Sequence, residues 1–221
     1  MLSDKVKDHL ADRLLKITHR TYLWVYLVFD YLQKEDFKKT PKGVDSSITT
    51  LPESVNQAYE QVLKKSKEPR LVQKALCIIL AAARPLTLSE MNVAMNIDST
   101  SESLHDLDLE EEADFKSRLR SWCGLFISIH HGRIYFLHQT AREFLLTDLP
   151  SSTSIPTKLE WHHSITINSA YTVLAELCVR YLNFFNSNSC LLTDTTMKTD
   201  HHVKNRAFLA YSAELATIKQ D

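Results

Sequence analysis

Apolar residues recur at helical spacing along most of the chain. Residues 4–33 are apolar enough to predict one helix, and the polar residues 35–49, which include a proline and a glycine, predict a connecting loop. Thr50 and Glu53 have capping-box spacing, so a second helix is predicted to start at Thr50. Its apolar positions fall on one face of a helix: Val55, Ala58, Tyr59, Val62 and Leu63.

The next segment predicts a buried helix followed by a short one. Pro69 is placed to open a helix whose residues 75–83 are apolar on every side, so this helix is expected at the centre of a core. Thr87 and Glu90 form a second capping box and predict a short helix that ends near Met95.

The pattern then passes from helix to strand and back. Three carboxylates at 110–112 suit the first turn of a helix that ends at Cys123, with Gly124 in the usual position for glycine after a helix. Residues 125–130 and 133–138 are rich in β-forming side chains and predict a hairpin with His131-Gly132 as its turn. Residues 139–146 return to helical spacing.

The last third of the chain predicts two more helices. Residues 150–156 have the composition of a linker, and residues 186–205 are polar. Thr157 and Glu160 form a third capping box, which predicts the start of a long helix that runs to Phe185. The tail at 206–218 predicts one further helix.

Two helices, a third helix, a β-hairpin and a closing helix are the order of a winged helix. The sequence therefore predicts a mainly α fold, in which helical segments flank a winged-helix domain with a small β-hairpin wing. The expected regions are an N-terminal helical segment at 1–66, the winged-helix domain at 67–149, and a C-terminal helical arm with a truncated linker at 157–221.

Composition narrows the functional classes. The formal charge is −1, from 26 basic and 27 acidic side chains, so no global field attracts nucleic acid or an acidic membrane. None of the three glycines is followed by Lys-Ser or Lys-Thr, so the chain has no P-loop of the usual kind. Four cysteines without CxxC spacing, together with an N-terminus that does not have the pattern of a secretory signal, predict a soluble cytoplasmic protein with reduced thiols.

Several ordered strings between about residues 10 and 185 resemble the large fungal NACHT family. These are STAND-type ATPases with helical arms and, in many members, C-terminal ankyrin repeats. The strings are Tyr22-Leu23-Trp24-Val25, Leu51-Pro52, Tyr59-Glu60, Ala83-Arg84-Pro85-Leu86-Thr87-Leu88, Cys123-Gly124-Leu125, Leu137-His138-Gln139-Thr140, Glu143-Phe144-Leu145 and Cys178-x-x-Tyr181-Leu182.

The resemblance implies a role for one residue. In NACHT proteins a histidine at the end of the wing, in the pattern His-x-Ser/Thr-x-x-Glu-Phe-Leu, faces the β-phosphate of bound ADP and holds the inactive state. His138, with Thr140 and Glu143, matches that pattern. An imidazole N–H can donate to a phosphate oxygen, and the start of the following helix offers further N–H groups. The alternative is that His138 ends a strand and is satisfied by backbone.

The resemblance also implies what is missing. Without a P-loop the chain is expected to be non-enzymatic, with no catalytic residue, no metal and no cofactor, and ADP or ATP would bind only if a NACHT core were supplied. Its expected partners are such a core or another protein, with no membrane and no nucleic acid, and full-length relatives could form oligomers. The chain resembles the middle of a larger signal-transduction protein and is expected to be a truncated relative or a fragment.

A DNA-binding winged helix is the first alternative. Lys116, Arg118 and Arg120 lie on the helix before the wing, and Arg133 lies in the wing. The same helix begins with the acidic run 110–112, which would repel phosphates, so a contiguous basic face is not expected.

Metal binding or hydrolysis is the second alternative. Neighbouring residues on a strand or helix point apart, so each of the histidine pairs at 130–131, 162–163 and 201–202 is expected to supply at most one ligand to a site. No HExxH or G-x-S-x-G pattern supports a metalloenzyme or a serine hydrolase. A third alternative is a stand-alone helical interaction module, which uses the apolar helix at 161–185 and the block around Trp24.

Overall fold

The computed structural model describes six stretches of the chain, namely residues 3–16, 21–34, 38–49, 51–147, 160–186 and 206–218. They fall into two compact units, of which the first comprises Met1–Lys65 with Ile155–His162, and the second Ser66–Ser154 with His163–Asp221. Helices dominate both units, and a two-stranded antiparallel sheet lies in the second. The predicted fold class, mainly α with a β-hairpin wing, is confirmed.

The described residues of the first unit form four helices: α1 (Asp4–Leu15), α2 (Tyr22–Lys34), α3 (Pro41–Thr49) and α4 (Val55–Lys64). Its apolar core joins side chains from every one of these helices and from the segment before α4. The buried members are Val6, Leu10, Trp24, Val28, Leu32, Val44 and Leu51, with Val55 packed against them. The Trp24 indole N–H also donates to the carbonyl of Pro52 at 2.8 Å, which ties α2 to the start of α4.

The single helix predicted over residues 4–33 is wrong, because the structure has two helices there. α1 ends at Leu15, where the N–H of Lys16 turns back to the carbonyl of Arg13. The hydroxyl of Thr21 then accepts the N–H of Trp24 at 3.1 Å and so caps the start of α2. Neither proline nor glycine occurs between Leu15 and Tyr22, so the sequence carries no strong signal that separates the two helices.

The loop predicted over residues 35–49 is also wrong, since residues 41–49 form α3. Pro41 opens the helix, where its missing N–H costs nothing, and Thr40 accepts the N–H of Gly43 at 3.2 Å. Val44 is fully buried, so packing offsets the weak helix propensity of this segment. A side chain at Gly43 would meet the Lys38 carbonyl oxygen at 1.9 Å, so this approach requires glycine.

The start of the next helix was predicted at the wrong residue. α4 begins at Val55, and its cap is Ser54, whose hydroxyl accepts the N–H of Gln57 at 3.2 Å. The side-chain oxygen of Gln57 accepts the N–H of Glu53 at 2.7 Å, which adds a second hydrogen bond at the start of α4. Thr50 lies outside the described residues.

The second unit contains the predicted winged helix, in the predicted order. Its elements are α5 (Pro69–Ala81), α6 (Leu88–Asn96), a 3₁₀ turn (Leu104–Asp106), α7 (Glu112–Cys123), a 3₁₀ turn (Gly124–Phe126), β1 (Ile127–His130), β2 (Arg133–Phe136) and α8 (Gln139–Leu145). The capping box of Thr87 and Glu90 is present. The strands pair with Ile129 opposite Ile134, and the turn residues His131 and Gly132 both have positive φ, 48° and 70°.

A third strand-like segment joins this hairpin, and the sequence did not predict it. Leu86 accepts the N–H of Ile134 at 2.9 Å, and Leu88 donates to the carbonyl of Gly132 at 2.9 Å. Thr87 and Arg133 form the bridge between these bonds. The segment between α5 and α6 is therefore part of the wing.

The remaining elements of the second unit follow α8. A short parallel pair joins β3 (Leu146–Thr147) to β4 (Ile165–Thr166), and the described residues after it form the helices α9 (Ile167–Asn186) and α10 (Leu209–Ile218). α9 packs against α5, and α10 packs against α9.

The long helix predicted to start at Thr157 and Glu160 starts later, at Ile167. The hydroxyl of Thr166 accepts the N–H of Ser169 at 3.0 Å and caps it. The linker predicted at 150–156 and most of the polar run at 186–205 lie outside the described residues, as does Thr157.

Candidate functional site

The wing and α8 place His138 at their junction. The N–H of Leu137 donates to the carbonyl of Phe126 at 2.8 Å, which fixes the chain as it leaves β2. The rings of Phe126 and Phe144 lie 5.9 Å apart, and Ala141 and Phe144 are both buried. These contacts hold α8 against the wing, so the position of His138 is set on both sides.

His138 is the N-cap residue of α8. Its backbone is extended, with φ −150° and ψ 152°, and its ring Nδ1 accepts the N–H of Thr140 at 3.2 Å. The same nitrogen lies 3.0 Å from the hydroxyl oxygen of Thr140, which can donate to it. The residue is exposed. The imidazole thus takes the part that a serine or aspartate side chain usually takes at the start of a helix.

This cap selects a tautomer of the ring. A neutral imidazole that accepts through Nδ1 carries its proton on Nε2, which is then a hydrogen-bond donor. Among the residues that the structure describes, Nε2 of His138 has no hydrogen-bond partner. The start of α8 has fewer free N–H groups for a phosphate than the sequence predicted. The N–H of Thr140 donates to Nδ1 of His138, and the N–H of Ala141 donates to the carbonyl oxygen of His138.

A second polar group, which we call the Arg84 cluster, consists of Arg84, Glu90, Tyr211 and Glu214. Arg84 donates to both oxygens of Glu90, at 3.0 and 2.9 Å, and to Glu214 at 3.1 Å. Its guanidinium carbon lies 4.9 Å from the centre of the Tyr211 ring. The sequence does not predict the contact of Arg84 with α10, because Glu214 is 130 residues away in the chain.

The charges of this cluster stabilise one another. The hydrogen bonds that Arg84 donates to Glu90 and Glu214 raise the pKa of Arg84 despite partial burial, so its charge is permanent. Burial by itself raises the pKa of Glu90, but hydrogen bonds from Arg84 and from the N–H of Thr87 outweigh burial and lower that pKa below its ordinary value. Burial raises the pKa of the Tyr211 hydroxyl to about 12.

The buried carboxylate of Glu60 fixes a segment of the first unit. It accepts the N–H groups of Glu160 and Trp161 at distances of 2.7 to 3.2 Å, and Lys64 lies 3.3 Å away. Glu60 is 2% exposed, so these bonds are shielded from water. Glu60 of the Tyr59-Glu60 string therefore has a structural role, since it holds residues 160–161 against α4.

Two of the four basic residues considered for DNA contact, Arg118 and Arg133, make contacts within the second unit. Arg118 pairs with Glu110 and lies 5.5 Å from the ring of Trp122, and Arg133 donates to the carbonyl of Pro85 at 2.8 Å. These two side chains are therefore engaged within their own unit.

The described histidine pairs lie on turns and at element ends. The rings of His130 and His131 are 4.0 Å apart at the hairpin turn, so the prediction that paired histidines point apart is wrong for this pair. His162 is 3.3 Å from the side-chain nitrogen of Asn56. His201 and His202 lie outside the described residues. Within the described stretches no three His, Cys, Asp or Glu side chains come together as metal ligands do. No helix in those stretches is long and apolar enough to cross a membrane.

Two family models match the chain. Residues 1–51 match a domain of unknown function (DUF7069), and residues 59–155 match the winged-helix domain of GPI inositol-deacylase. The vegetative incompatibility protein HET-E-1 of Podospora anserina, a fungal protein that contains a NACHT domain, is 26% identical over 145 residues. That match covers 64% of this chain and 10% of HET-E-1, so the chain spans about a tenth of this relative's length. No solved structure matches the chain.

The winged helix and the resemblance to NACHT-type proteins are thereby confirmed. The match to GPI inositol-deacylase concerns its winged-helix domain only. The matched residues of this chain, 59–155, contain no P-loop pattern.

Proposed function

Since the chain carries a winged helix similar to those of NACHT-type proteins, we propose that it is the non-catalytic regulatory and interaction part of a NACHT-type signal-transduction ATPase. The winged helix closes on an ADP-bound nucleotide core, and His138 donates to a phosphate of that ADP. The core supplies the P-loop and all nucleotide turnover. The proposed compartment is the cytoplasm, and the proposed partners are the core and other proteins.

The observation that carries this proposal is the geometry of His138. Its Nδ1 is occupied by the N-cap, and its Nε2 is a donor on an exposed ring with no acceptor among the described residues. A phosphate oxygen is a strong acceptor and would pair with that N–H through a charge-assisted hydrogen bond. The cap fixes the ring by contacts with Thr140, so little side-chain entropy is lost when the phosphate binds.

Release follows from a difference in affinity between nucleotide states. A ligand shifts a two-state equilibrium only if it binds the two states with different affinity. In the closed state His138 donates to a phosphate of ADP. When ATP replaces ADP, the ring faces a different phosphate, and the closed state loses this contribution to its affinity. The winged helix then leaves the core, and surfaces that were covered become available to partner proteins.

Binding to a separately produced NACHT core tests this proposal. The chain is titrated onto the nucleotide-binding core of a NACHT-type relative loaded with ADP or with a non-hydrolysable ATP analogue. We expect the ADP-loaded core to bind about tenfold more tightly, which corresponds to about 1.4 kcal/mol. Equal affinity for the two loaded cores would contradict the proposal.

A second measurement tests the non-catalytic part. Calorimetry of this chain alone with ADP or ATP and Mg²⁺ is expected to give no binding, because the sequence has no P-loop of the usual kind to hold the phosphates. Micromolar binding or hydrolysis by the chain alone would contradict this assignment.

A further inference from the structure

Helix α10 is joined to the rest of its unit by an ion pair of Arg84, which bonds to two glutamates that differ in burial. Arg84 bonds to Glu90, whose side chain is 8% exposed, and to Glu214, whose side chain is 58% exposed. If Glu214 moves away, Arg84 remains paired with Glu90. α10 can therefore separate without leaving an unpaired buried charge, which is the usual obstacle to opening such a contact.

An aromatic contact completes the docking of α10. The Tyr211 hydroxyl accepts the N–H of Ala83 at 3.1 Å. The Tyr211 ring stacks on Phe208 at 5.4 Å, and Phe208 meets Tyr181 of α9 edge to face at 5.5 Å. α10 is thus bonded directly to the backbone of the segment that follows α5.

The same segment belongs to the wing a few residues later. Pro85 accepts a hydrogen bond from Arg133, Leu86 accepts one from Ile134, and Leu88 donates one to Gly132, at 2.8 to 2.9 Å. Residues 83–88 are therefore held by α10 at one end and by the wing hairpin along the rest. The hairpin strand β2 leads directly to His138.

We propose that the Arg84 cluster is a clasp through which the docking of α10 controls the rigidity of the wing. When α10 is docked, Ala83 and Arg84 are fixed, and the strand-like residues after them hold the hairpin. When α10 leaves, one end of segment 83–88 is released, and the hydrogen bonds between this segment and the hairpin open more often. The coupling depends only on contacts within the second unit, whereas its effect on phosphate contact by His138 rests on the proposed function.

Amide hydrogen exchange followed by NMR on the full chain tests the clasp. Glu214→Gln removes the charge of the exposed partner, and Tyr211→Phe removes the acceptor of the Ala83 N–H. Glu176→Gln, on the exposed face of α9, is the control for loss of one carboxylate. We expect both cluster variants to speed exchange in α10 about fivefold, with a smaller acceleration at Leu88 and Ile134. Amides of α7 and the control variant should not change.

The dependence of amide exchange on salt concentration is an independent test of the clasp. Raising the ionic strength should speed exchange at Ile134 in the wild type and have less effect in Glu214→Gln, since the exposed half of the cluster is the part that salt screens. Faster exchange in α10 with no change at Leu88 and Ile134 would overturn the proposal. So would unchanged α10 exchange in both variants, or an equal acceleration in α7, which would report global destabilisation. No core or nucleotide enters this test, so its failure and that of the proposed function are distinguishable.

Discussion

Each of the two compact units contains a buried glutamate that receives backbone N–H groups, and the two carboxylates hold different kinds of segment. Glu60 in the first unit fixes Glu160 and Trp161, which are 100 and 101 residues away in the chain. Glu90 in the second unit fixes Thr87 and Arg84, three and six residues away. Glu60 thus joins two segments that are distant in the chain. Glu90 completes the local cap of α6, and Arg84, which is bonded to Glu90, also bonds to Glu214 of α10.

The difference shows how the winged helix and the helical unit are stabilised. In the winged helix, caps and turns specify where elements begin, and the core then packs elements that are already delimited. In the first unit, local caps also begin the helices, but the Glu60 carboxylate holds a segment that is about 100 residues away in the chain. We therefore expect changes in Glu60 to act over long range and changes in Glu90 to act mainly near α6 and α10.

The largest expected effect is loss of core volume in the second unit. Leu80→Ala removes a side chain that is 6% exposed and should lower the free energy of unfolding by about 2–5 kcal/mol. Leu15→Ala, at a leucine that is 63% exposed in the first unit, is the matched control and should cost less than about 0.5 kcal/mol. Urea unfolding measures both. Similar losses for the two variants would mean that Leu80 is not in a packed core.

The next effect concerns the long-range carboxylate. Glu60→Ala leaves the buried N–H of Trp161 without its acceptor and should cost about 2–3 kcal/mol, with faster amide exchange at Trp161. Glu60→Gln keeps one acceptor oxygen and should lose less. Unchanged protection of the Trp161 amide in Glu60→Ala would show that Glu60 does not hold this segment.

The local carboxylate should respond to pH. The folded pKa of Glu90 lies below its ordinary value of 4.5, so its stabilisation is full at neutral pH and is lost as the pH falls through the folded pKa. Glu90→Gln keeps the capping box and should lower the free energy of unfolding by about 1–2 kcal/mol at pH 7. Urea unfolding of both proteins at several pH values should show this difference shrinking below pH 4.5. A difference independent of pH would contradict the assignment.

The smallest effect concerns the cap at the candidate site. His138→Ala removes the acceptor for the Thr140 N–H and should cost about 0.5–1 kcal/mol, whereas His138→Asn supplies another good cap and should be nearly neutral. Thermal unfolding compares the two variants. Equal losses would mean that the ring contributes through something other than the cap.

Local chemistry explains what the sequence predicted. The Thr87–Glu90 box, the glycine after α7 and the His131-Gly132 turn all lie within a few residues of what they specify, and each was found. α3 was missed because the burial of Val44 outweighs a loop-like composition. The strand-like segment at 86–88 and the contact of Arg84 with α10 were missed because their partners are distant in the chain.

For the candidate site, too, the sequence predicted one part and the structure was needed for the other. The identity of His138 and its possible contact with phosphate came from the resemblance to NACHT proteins. That its Nδ1 is already occupied by the Thr140 N–H, which leaves Nε2 as the donor, required the three-dimensional arrangement of the cap. The sequence pattern alone allows either ring nitrogen to face a ligand.

The most direct test of the central claim is the affinity of His138→Asn for a NACHT core loaded with ADP, compared with the wild-type chain. Because asparagine keeps the cap of α8, a loss of affinity reports the Nε2 contact rather than the fold. We predict about tenfold weaker binding to the ADP-loaded core and no change with the ATP analogue. Equal affinity of the two chains for the ADP-loaded core would contradict the account.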